Sequence, residues 1–302
     1  MTNEGQKPDW IAVDWGTSHL RAYAMSGGSV IDTASSADGM GALDRDQFEA
    51  ALLALIEPWL KDKTPVLACG MVGARQGWVE APYATVPTAA DQTKTMAAPT
   101  KDPRLIVRVL PGLKQVNPAD VMRGEETQIA GFLSLNKGWD GVICLPGTHS
   151  KWALISAKEV VSFQTFMTGE LFSCLSHHSV LRHTVTTDGW DNNAFVEALS
   201  DTIARPEKLA ARLFSIRAEG LVNGMPNETA KARLSGLLIG AELAAARPYW
   251  LGQQVAVIGA PDIAGLYVAA LAEQGVPATH VQGDRMTIAG LNAARIREGI
   301  TT

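Results

Sequence analysis

Apolar and polar positions along the chain repeat one plan twice. The runs "WIAVDW", "HLRAYAM" and "SVIDTASS" predict three short strands across residues 11–35, with Gly27-Gly28 at the second turn. Residues 46–60 carry Phe48, Leu52, Leu55, Ile56 and Trp59 at helical spacing. A short apolar strand at 65–69 runs into the glycine-rich stretch "GMVGARQGWVEAPY". Residues 80–104 are rich in Pro, Ala and Thr without a period and predict an irregular surface excursion. "RLIVRVL" predicts a strand, and residues 119–135 a helix. Then the pattern restarts. "GVICLP", "SKWALIS" and "EVVSFQTF" predict a second strand triplet, followed by several helices between residues 169 and 247. A strand at "QQVAVIG", a helix from Pro261, a strand at "ATHVQG" and a last helix from Asp284 complete the order.

Strand triplets followed by helix and strand, twice in 302 residues, predict two α/β domains of like topology. The junction falls in "SLNKGWDG", giving domains of 1–136 and 137–302, with the last helix free to return to the first. Laid over each other, the copies align Gly16-Thr17 with Gly147-Thr148, each a turn between two apolar strands. Glycine lets backbone approach a ligand closely, and successive N–H groups with a hydroxyl form an anion-binding concavity. A pair of such turns, Gly16, Thr17 and Ser18 with Gly147, Thr148 and Ser150, offers a clamp for a polyphosphate. The chain has no GxxxxGK[ST] and no GxGxxG after a strand, which excludes the two commoner phosphate loops.

The copies differ where chemistry would enter. Asp14 ends the first strand, and its counterpart is Leu145. Asp14 is either the single carboxylate that Mg²⁺ takes beside phosphate oxygens, or an Asx acceptor that fixes the turn. The second copy carries His149 and Lys151, a hydrogen-bond donor and a point charge suited to phosphate, or else ordinary turn residues. The histidines of "SHHSVLRH" lack the i, i+4 spacing of a zinc pair and read as polar or packing residues.

A net charge of −5 argues against a nucleic-acid partner, because phosphate backbones demand a basic face. No apolar run reaches the roughly 18 residues needed to span a bilayer. "MTNEGQKPDW" lacks the pattern of a secretion signal, and Cys69, Cys144 and Cys174 read as buried free thiols. A cytoplasmic protein is the expectation.

"VDWGTSHLRA" is similar to the first phosphate motif of the superfamily of sugar kinases, hexokinases, heat-shock ATPases and actin. Within it, "VDWGTSHLRAY", "GMVGARQGW", "MRGEETQIAGFL", "LPGTHSKW", "TFMTGELF" and "GLLIGAEL" resemble the 2-dehydro-3-deoxygalactonokinase family, in order and across nearly the whole chain. The resemblance implies two ribonuclease H-like (actin-like ATPase) domains facing a nucleotide cleft that closes over its ligands. It implies transfer of the terminal phosphoryl group of ATP, with Mg²⁺, to the 6-hydroxyl of 2-dehydro-3-deoxy-D-galactonate. Many superfamily kinases carry Asp in the second phosphate motif, so Leu145 argues against direct metal binding there. In "VIGAPDIAGLY", Gly259 and Ala260 take the adenosine-side position by resemblance alone.

The acceptor side needs a base and an anchor for the substrate carboxylate. Glu125 and Glu126 lie near the start of a helix, where the macrodipole favours acids in any case. Related kinases place an acid at the head of this helix, which makes Glu126 the first choice as base and Glu125 the second. Arginine meets a carboxylate in two parallel hydrogen bonds, so Arg75 and Arg123 are the candidate anchors, with Gln76, Trp78 and Glu80 on the same loop as Arg75. Thr168, Gly169 and Glu170 read either as a helix start with Thr168 as its N-cap, which should hold in any case, or as a pocket edge as well. The rival readings are a kinase of another small hydroxy-acid, a phosphatase that hydrolyses polyphosphate or nucleotide, and a nucleotide-operated regulator without catalysis.

Overall fold

Strand β1 (Trp10–Trp15) is apolar at every position but one, because both of its faces are covered. Ile11, Val13 and Trp15 face one core, shared with Phe48, Leu52 and Trp78. Trp10 and Ala12 face a second core, shared with Met25, Leu67, Leu291 and Ala294. A strand buried on both sides loses polar alternation, and Asp14 is the exception at its end. The computed structural model describes residues 7–91 and 94–300.

The chain groups into two units. Unit 1 comprises Met1–Trp139, Ile155–Ser162 and Gly283–Thr302, and unit 2 comprises Asp140–Leu154 and Phe163–Gln282. In unit 1, β2 (Leu20–Ser26) and β3 (Ser29–Ser36) continue antiparallel from β1, and α1 (Phe48–Ile56) follows. Next come β4 (Thr64–Gly70), β5 (Tyr83–Thr85), β6 (Thr88–Ala89), β7 (Met96–Ala97) and β8 (Leu105–Val109). β9 (Gly112–Gln115), β10 (Asp120–Met122) and α2 (Glu125–Leu135) complete this stretch. The main sheet runs β3-β2-β1-β4-β8-β7, with β4 parallel to β1 and β8 parallel to β4. A small sheet runs β10-β9-β5.

In unit 2, β11 (Gly141–Leu145), β12 (Ser150–Ser156) and β13 (Glu159–Phe166) lead to helices α3 (Thr168–His178), α4 (Asn192–Ala204), α5 (Leu209–Val222), α6 (Asn227–Ala245) and α7 (Arg247–Trp250). β14 (Val255–Gly259), α8 (Pro261–Ala272) and β15 (Ala278–Gln282) follow, and then α9 (Gly283–Arg297), which belongs to unit 1. The sheet order is β13-β12-β11-β14-β15, with β14 parallel to β11 and β15 parallel to β14. Both sheets therefore share the order third-second-first-fourth, the geometric form of the repeat, and differ beyond it, with β8 and then β7 following β4 and β15 following β14. Residues 155–162 group with unit 1, where Glu159 and Val160 pair with Ala89 and Thr88.

Two helix pairs approach so closely that only glycine fits. A Cβ on Gly290 of α9 would stand 1.9 Å from the Thr127 carbonyl oxygen of α2, and one on Gly131 would stand 2.0 Å from that of Met286. In unit 2, a Cβ on Gly236 or Gly240 of α6 would lie 2.4 or 2.7 Å from the carbonyl oxygens of Phe195 and Leu199 in α4.

Several expectations need correction. The helix expected over 119–135 begins only at Glu125: Asp120–Met122 pair with β9, and Gly124, at φ +106°, breaks the run before the helix. The stretch 80–104 contains β5, β6 and β7, while its residues 92 and 93 lie outside the described residues. Cys69 and Cys144 are buried free thiols, but Cys174 on α3 is exposed. No helix among the described residues is long and apolar enough to cross a membrane.

Candidate active site

Unit 1 builds its site at the carboxyl end of β1. The turn after Trp15 closes with the Gly16 N–H donating to the His19 carbonyl at 2.9 Å. Met40 and Gly41 donate backbone N–H groups to the Gly16 and Thr17 carbonyls at 3.0 and 2.9 Å, which holds the turn from behind. The hairpin register sets Arg21 opposite Asp14, and Arg21 Nη1 lies 3.4 Å from Asp14 Oδ2. Asp284, in the first turn of α9, stands 3.9 Å from the same guanidinium nitrogen. Burial pushes the Asp14 carboxyl up from its ordinary value, Arg21 pulls it down, and the charges of Asp284 and Glu125 raise it again.

Two glycines let neighbouring segments close around Asp14. Gly70 ends β4 at φ +90°, and a Cβ there would lie 2.7 Å from the Trp15 carbonyl oxygen and 3.6 Å from Asp14 Oδ1. A Cβ on Gly124 would be 3.4 Å from the Gly70 Cα. α2 thus starts beside Asp14 with its two glutamates in different surroundings. Glu125 is half-buried, accepts the Arg123 N–H at 3.0 Å, and contributes to the field on Asp14. Glu126 is 2 % exposed, accepts the Gly124 N–H at 2.7 Å, and takes a hydrogen bond from the Thr127 hydroxyl at 3.2 Å. Burial and the adjacent Glu125 charge push the Glu126 carboxyl up to about 8.

The loop after β4 separates the candidate anchors. Arg75 and Gln76 are exposed, and Arg45 clasps the backbone below them, donating to the Arg75 and Gly77 carbonyls. Arg123 is buried instead, with Nη2 donating to the Ala81 carbonyl at 2.8 Å and the guanidinium 4.3 Å from the Tyr83 ring centroid. Its Nε and Nη1 have no hydrogen-bond partner. Trp78 was expected on the loop surface, but it packs against Trp15 and Phe48 and donates its indole N–H to the Pro99 carbonyl. Its indole is thereby spent on the core and on the Pro99 carbonyl.

Unit 2 presents the second turn, between β11 and β12. α3 begins against it: Glu170 N–H donates to the Thr148 carbonyl at 2.9 Å, and a Cβ on Gly169 would lie 2.2 Å from the Gly147 oxygen. His149 Nε2 and Glu170 Oε2 are 2.5 Å apart. Lys151 is 4 % exposed and donates to the His149 carbonyl at 3.2 Å, so its stem is packed rather than solvated. Thr168 and Glu170 therefore adjoin the Gly147-Thr148 turn within unit 2, and Thr168 is the first residue of α3 and not its N-cap, which is Met167.

Beside this turn lies a cavity of about 650 Å³ within unit 2. Phe172, Trp190, Leu238, Ile239, Ile263, Leu266 and Tyr267 supply its apolar wall, and Gly147, Asp188, Lys231 and Asp262 its polar points. Gly259 ends β14 and Ala260 is the N-cap of α8, whose contribution to the lining begins at Asp262. The Gly259 carbonyl is 3.1 Å from His280 Nε2.

Sequence reasoning missed Arg21, Arg45, Asp284 and the cavity wall. Arg21 was within reach, since hairpin pairing places it opposite Asp14. Asp284 carries no local signal. Among the described residues no group of three or more His, Cys, Asp and Glu side chains could by itself hold a metal ion. His177 Nδ1 lies 2.8 Å from the Ser173 carbonyl, a local helix contact.

Comparison with known proteins agrees with this geometry. A sequence profile described as 2-keto-3-deoxy-galactonokinase matches residues 14–294. A Rhizobium meliloti (strain 1021) protein named "Probable 2-dehydro-3-deoxygalactonokinase DgoK1" is 38% identical over 304 residues, covering 97% of this chain and 98% of the relative. The Escherichia coli (strain K12) protein named 2-dehydro-3-deoxygalactonokinase is 32% identical over 287 residues, covering 94% and 96%. A crystal structure of a candidate 2-dehydro-3-deoxygalactonokinase from Sinorhizobium meliloti superposes with a TM-score of 0.89 at 37% identity, covering 96% of this chain and 99% of that one. The two sheets share the order of their first four strands, the fold is that of the actin-like kinases, and this chain belongs to the 2-keto-3-deoxy-galactonokinase family.

Proposed function

We propose that the protein transfers the terminal phosphoryl group of ATP to the 6-hydroxyl of 2-dehydro-3-deoxy-D-galactonate, with Glu125 as the general base. The observation that carries the chemistry is the start of α2 beside Asp14, where Glu125 is half-buried and within electrostatic reach of that carboxylate. The family carries the substrate. Phosphoryl transfer is mostly positioning and charge neutralisation, with one group placed to take the acceptor's proton. Glu126, buried and bonded to the Gly124 N–H, holds the helix start and is protonated near neutral pH. A protonated, enclosed carboxyl is poorly suited to accept a hydroxyl proton, so the order of preference between the two glutamates reverses.

Asp14 fits a magnesium role. It is a single carboxylate at the end of a strand beside a phosphate turn, and Mg²⁺ takes one or two carboxylates with phosphate oxygens and water. When bound there, the ion would neutralise charge on the phosphates. Arg21 opposes the rise that burial imposes on the Asp14 carboxyl and orients it. The backbone N–H groups of Thr17, Ser18, Gly147, Thr148 and His149 and the hydroxyls of Thr17, Ser18 and Thr148 would hold phosphate oxygens, with His149 pinned by Glu170. The Gly16 N–H and the Ser150 hydroxyl, expected in the same role, are already taken by the His19 carbonyl and by Tyr267 and Glu242. The cavity walled by Trp190, Leu266 and Tyr267 is of the size and mixed polarity that a nucleoside needs. Arg75 is the favoured anchor for the substrate carboxylate, because its side chain is exposed while Arg45 fixes its backbone. The protein is read as a cytoplasmic enzyme of sugar-acid breakdown.

The test is ATP consumption coupled to ADP detection, with Mg²⁺, against 2-dehydro-3-deoxygalactonate, its gluconate epimer, galactonate, pantothenate and water alone. Turnover with the first compound supports the reading. Turnover on water alone, or none at all, overturns it.

A further inference from the structure

The "GLLIGAEL" segment of α6 has no part in the phosphate turns or the acceptor loop, yet it places a carboxylate in the interior of unit 2. Glu242 is 2 % exposed. Its Oε1 accepts the Trp152 indole N–H at 2.8 Å, and its Oε2 accepts the Tyr267 hydroxyl at 2.7 Å. The Tyr267 oxygen lies 2.9 Å from Ser150 Oγ, and the Thr168 hydroxyl adds a further hydrogen bond to the carboxylate. Four elements meet at this one group: β12 through Ser150 and Trp152, α3 through Thr168, α8 through Tyr267, and α6 itself.

The donor inventory gives the network a direction. An indole N–H only donates, so Oε1 must accept from Trp152. Tyr267 donates its single proton to Oε2, while Ser150 is bonded both to the Tyr267 oxygen and to the Glu242 carboxyl and has its one proton to give to either. The chain of bonds runs from the second phosphate turn, through the cavity wall, to the carboxylate. Thr168 and Tyr267 line the cavity of about 650 Å³, while Ser150 directly follows His149 of the turn. A buried carboxylate is costly to desolvate unless its oxygens are satisfied, and here both are.

We infer that Glu242 is a positioning residue for nucleotide binding: it ties the Tyr267 and Thr168 wall of the cavity to the phosphate turn at Ser150, so that base and phosphates are gripped in one fixed spacing. The inference rests on the reading that this cavity takes the nucleoside of ATP. Glu242 touches no ligand. It acts through Tyr267, Thr168 and Ser150.

The test uses Glu242→Gln, Tyr267→Phe and the double variant in the full chain. Gln keeps the shape but presents a donor where an acceptor is needed. Phe keeps the ring on the cavity wall and removes the tie. Each single variant is expected to raise KM for ATP about tenfold with KM for the sugar acid unchanged, and the double variant to be no worse than the poorer single one, because residues of one network are not additive. Direct titration of ATP into each protein is run alongside, with the melting temperature recorded. If ATP binds wild type and both single variants alike, the inference is overturned, whatever happens to the melting temperature. If wild type binds no ATP, the reading of the cavity fails and the inference with it. Should Glu242→Gln not fold, Tyr267→Phe alone decides by the same KM comparison.

Discussion

Replacing Glu126 by glutamine separates the two roles that adjacent acids at one helix start can play. Glutamine reproduces the protonated carboxyl in size and keeps an oxygen for the Gly124 N–H and the Thr127 hydroxyl. What it removes is titration. Burial and the Glu125 charge raise the Glu126 carboxyl from 4.5 to about 8 in the folded protein. A raised folded value means that the native state holds a proton the unfolded chain has released, so stability is greatest at acid pH and falls as pH rises toward the folded value. Each pH unit between the two values costs about 1.4 kcal/mol. From about pH 5 to about pH 7.5 the wild type should therefore lose roughly 3 kcal/mol that the variant keeps. Urea unfolding of both proteins across that range measures the difference directly, since all other titrating groups cancel. A stability difference that stays constant with pH would refute the burial argument. The variant should also keep turnover within about one order of magnitude, whereas removing a true general base costs about 10²–10⁴-fold. A loss of that larger size would return the base assignment to Glu126.

The other expectations follow from the same geometry. Glu125→Gln should lower kcat by about 10²–10⁴-fold with little change in either KM, measured by the coupled assay at saturating ATP. Arg75→Gln should raise KM for the sugar acid by more than about tenfold, as expected for a lost charge-assisted pair, and leave KM for ATP alone. Equal effects on both substrates would remove Arg75 from the acceptor site. Gly290→Ala would drive a methyl group into the Thr127 carbonyl, where 1.9 Å is available. It should destabilise unit 1 by about 1–3 kcal/mol or more in denaturant unfolding, and an unchanged midpoint would contradict the helix contact.

Chain order and chemistry were legible in different degrees. The strand triplets, the paired Gly-Thr turns and the helices after them could be read from periodicity and turn residues, because those signals are local. Asp14 could be singled out for the same reason: it is a polar residue ending an apolar strand. The false helix start at residue 119 came from an apolar spacing that β9 captured for a sheet edge, where pairing outweighs local propensity. Trp78 looked like a loop residue among glycines, but a large aromatic side chain is drawn into the nearest core, here that of Trp15 and Phe48.

By itself, then, the sequence determined the repeat, the order of its elements along the chain and the two Gly-Thr turns, since each depends on neighbours a few residues apart. Only the tertiary structure decided which glutamate is enclosed and which lies half-open, because the rotation of about 100° between successive helical residues sets them against different surroundings. It likewise decided that Arg123 is buried under a loop while Arg75 is exposed above one. Glu242 meeting Trp152, and Asp284 meeting Arg21, join residues far apart in the chain. Such contacts arise from how helices and sheets pack, and no local pattern encodes them.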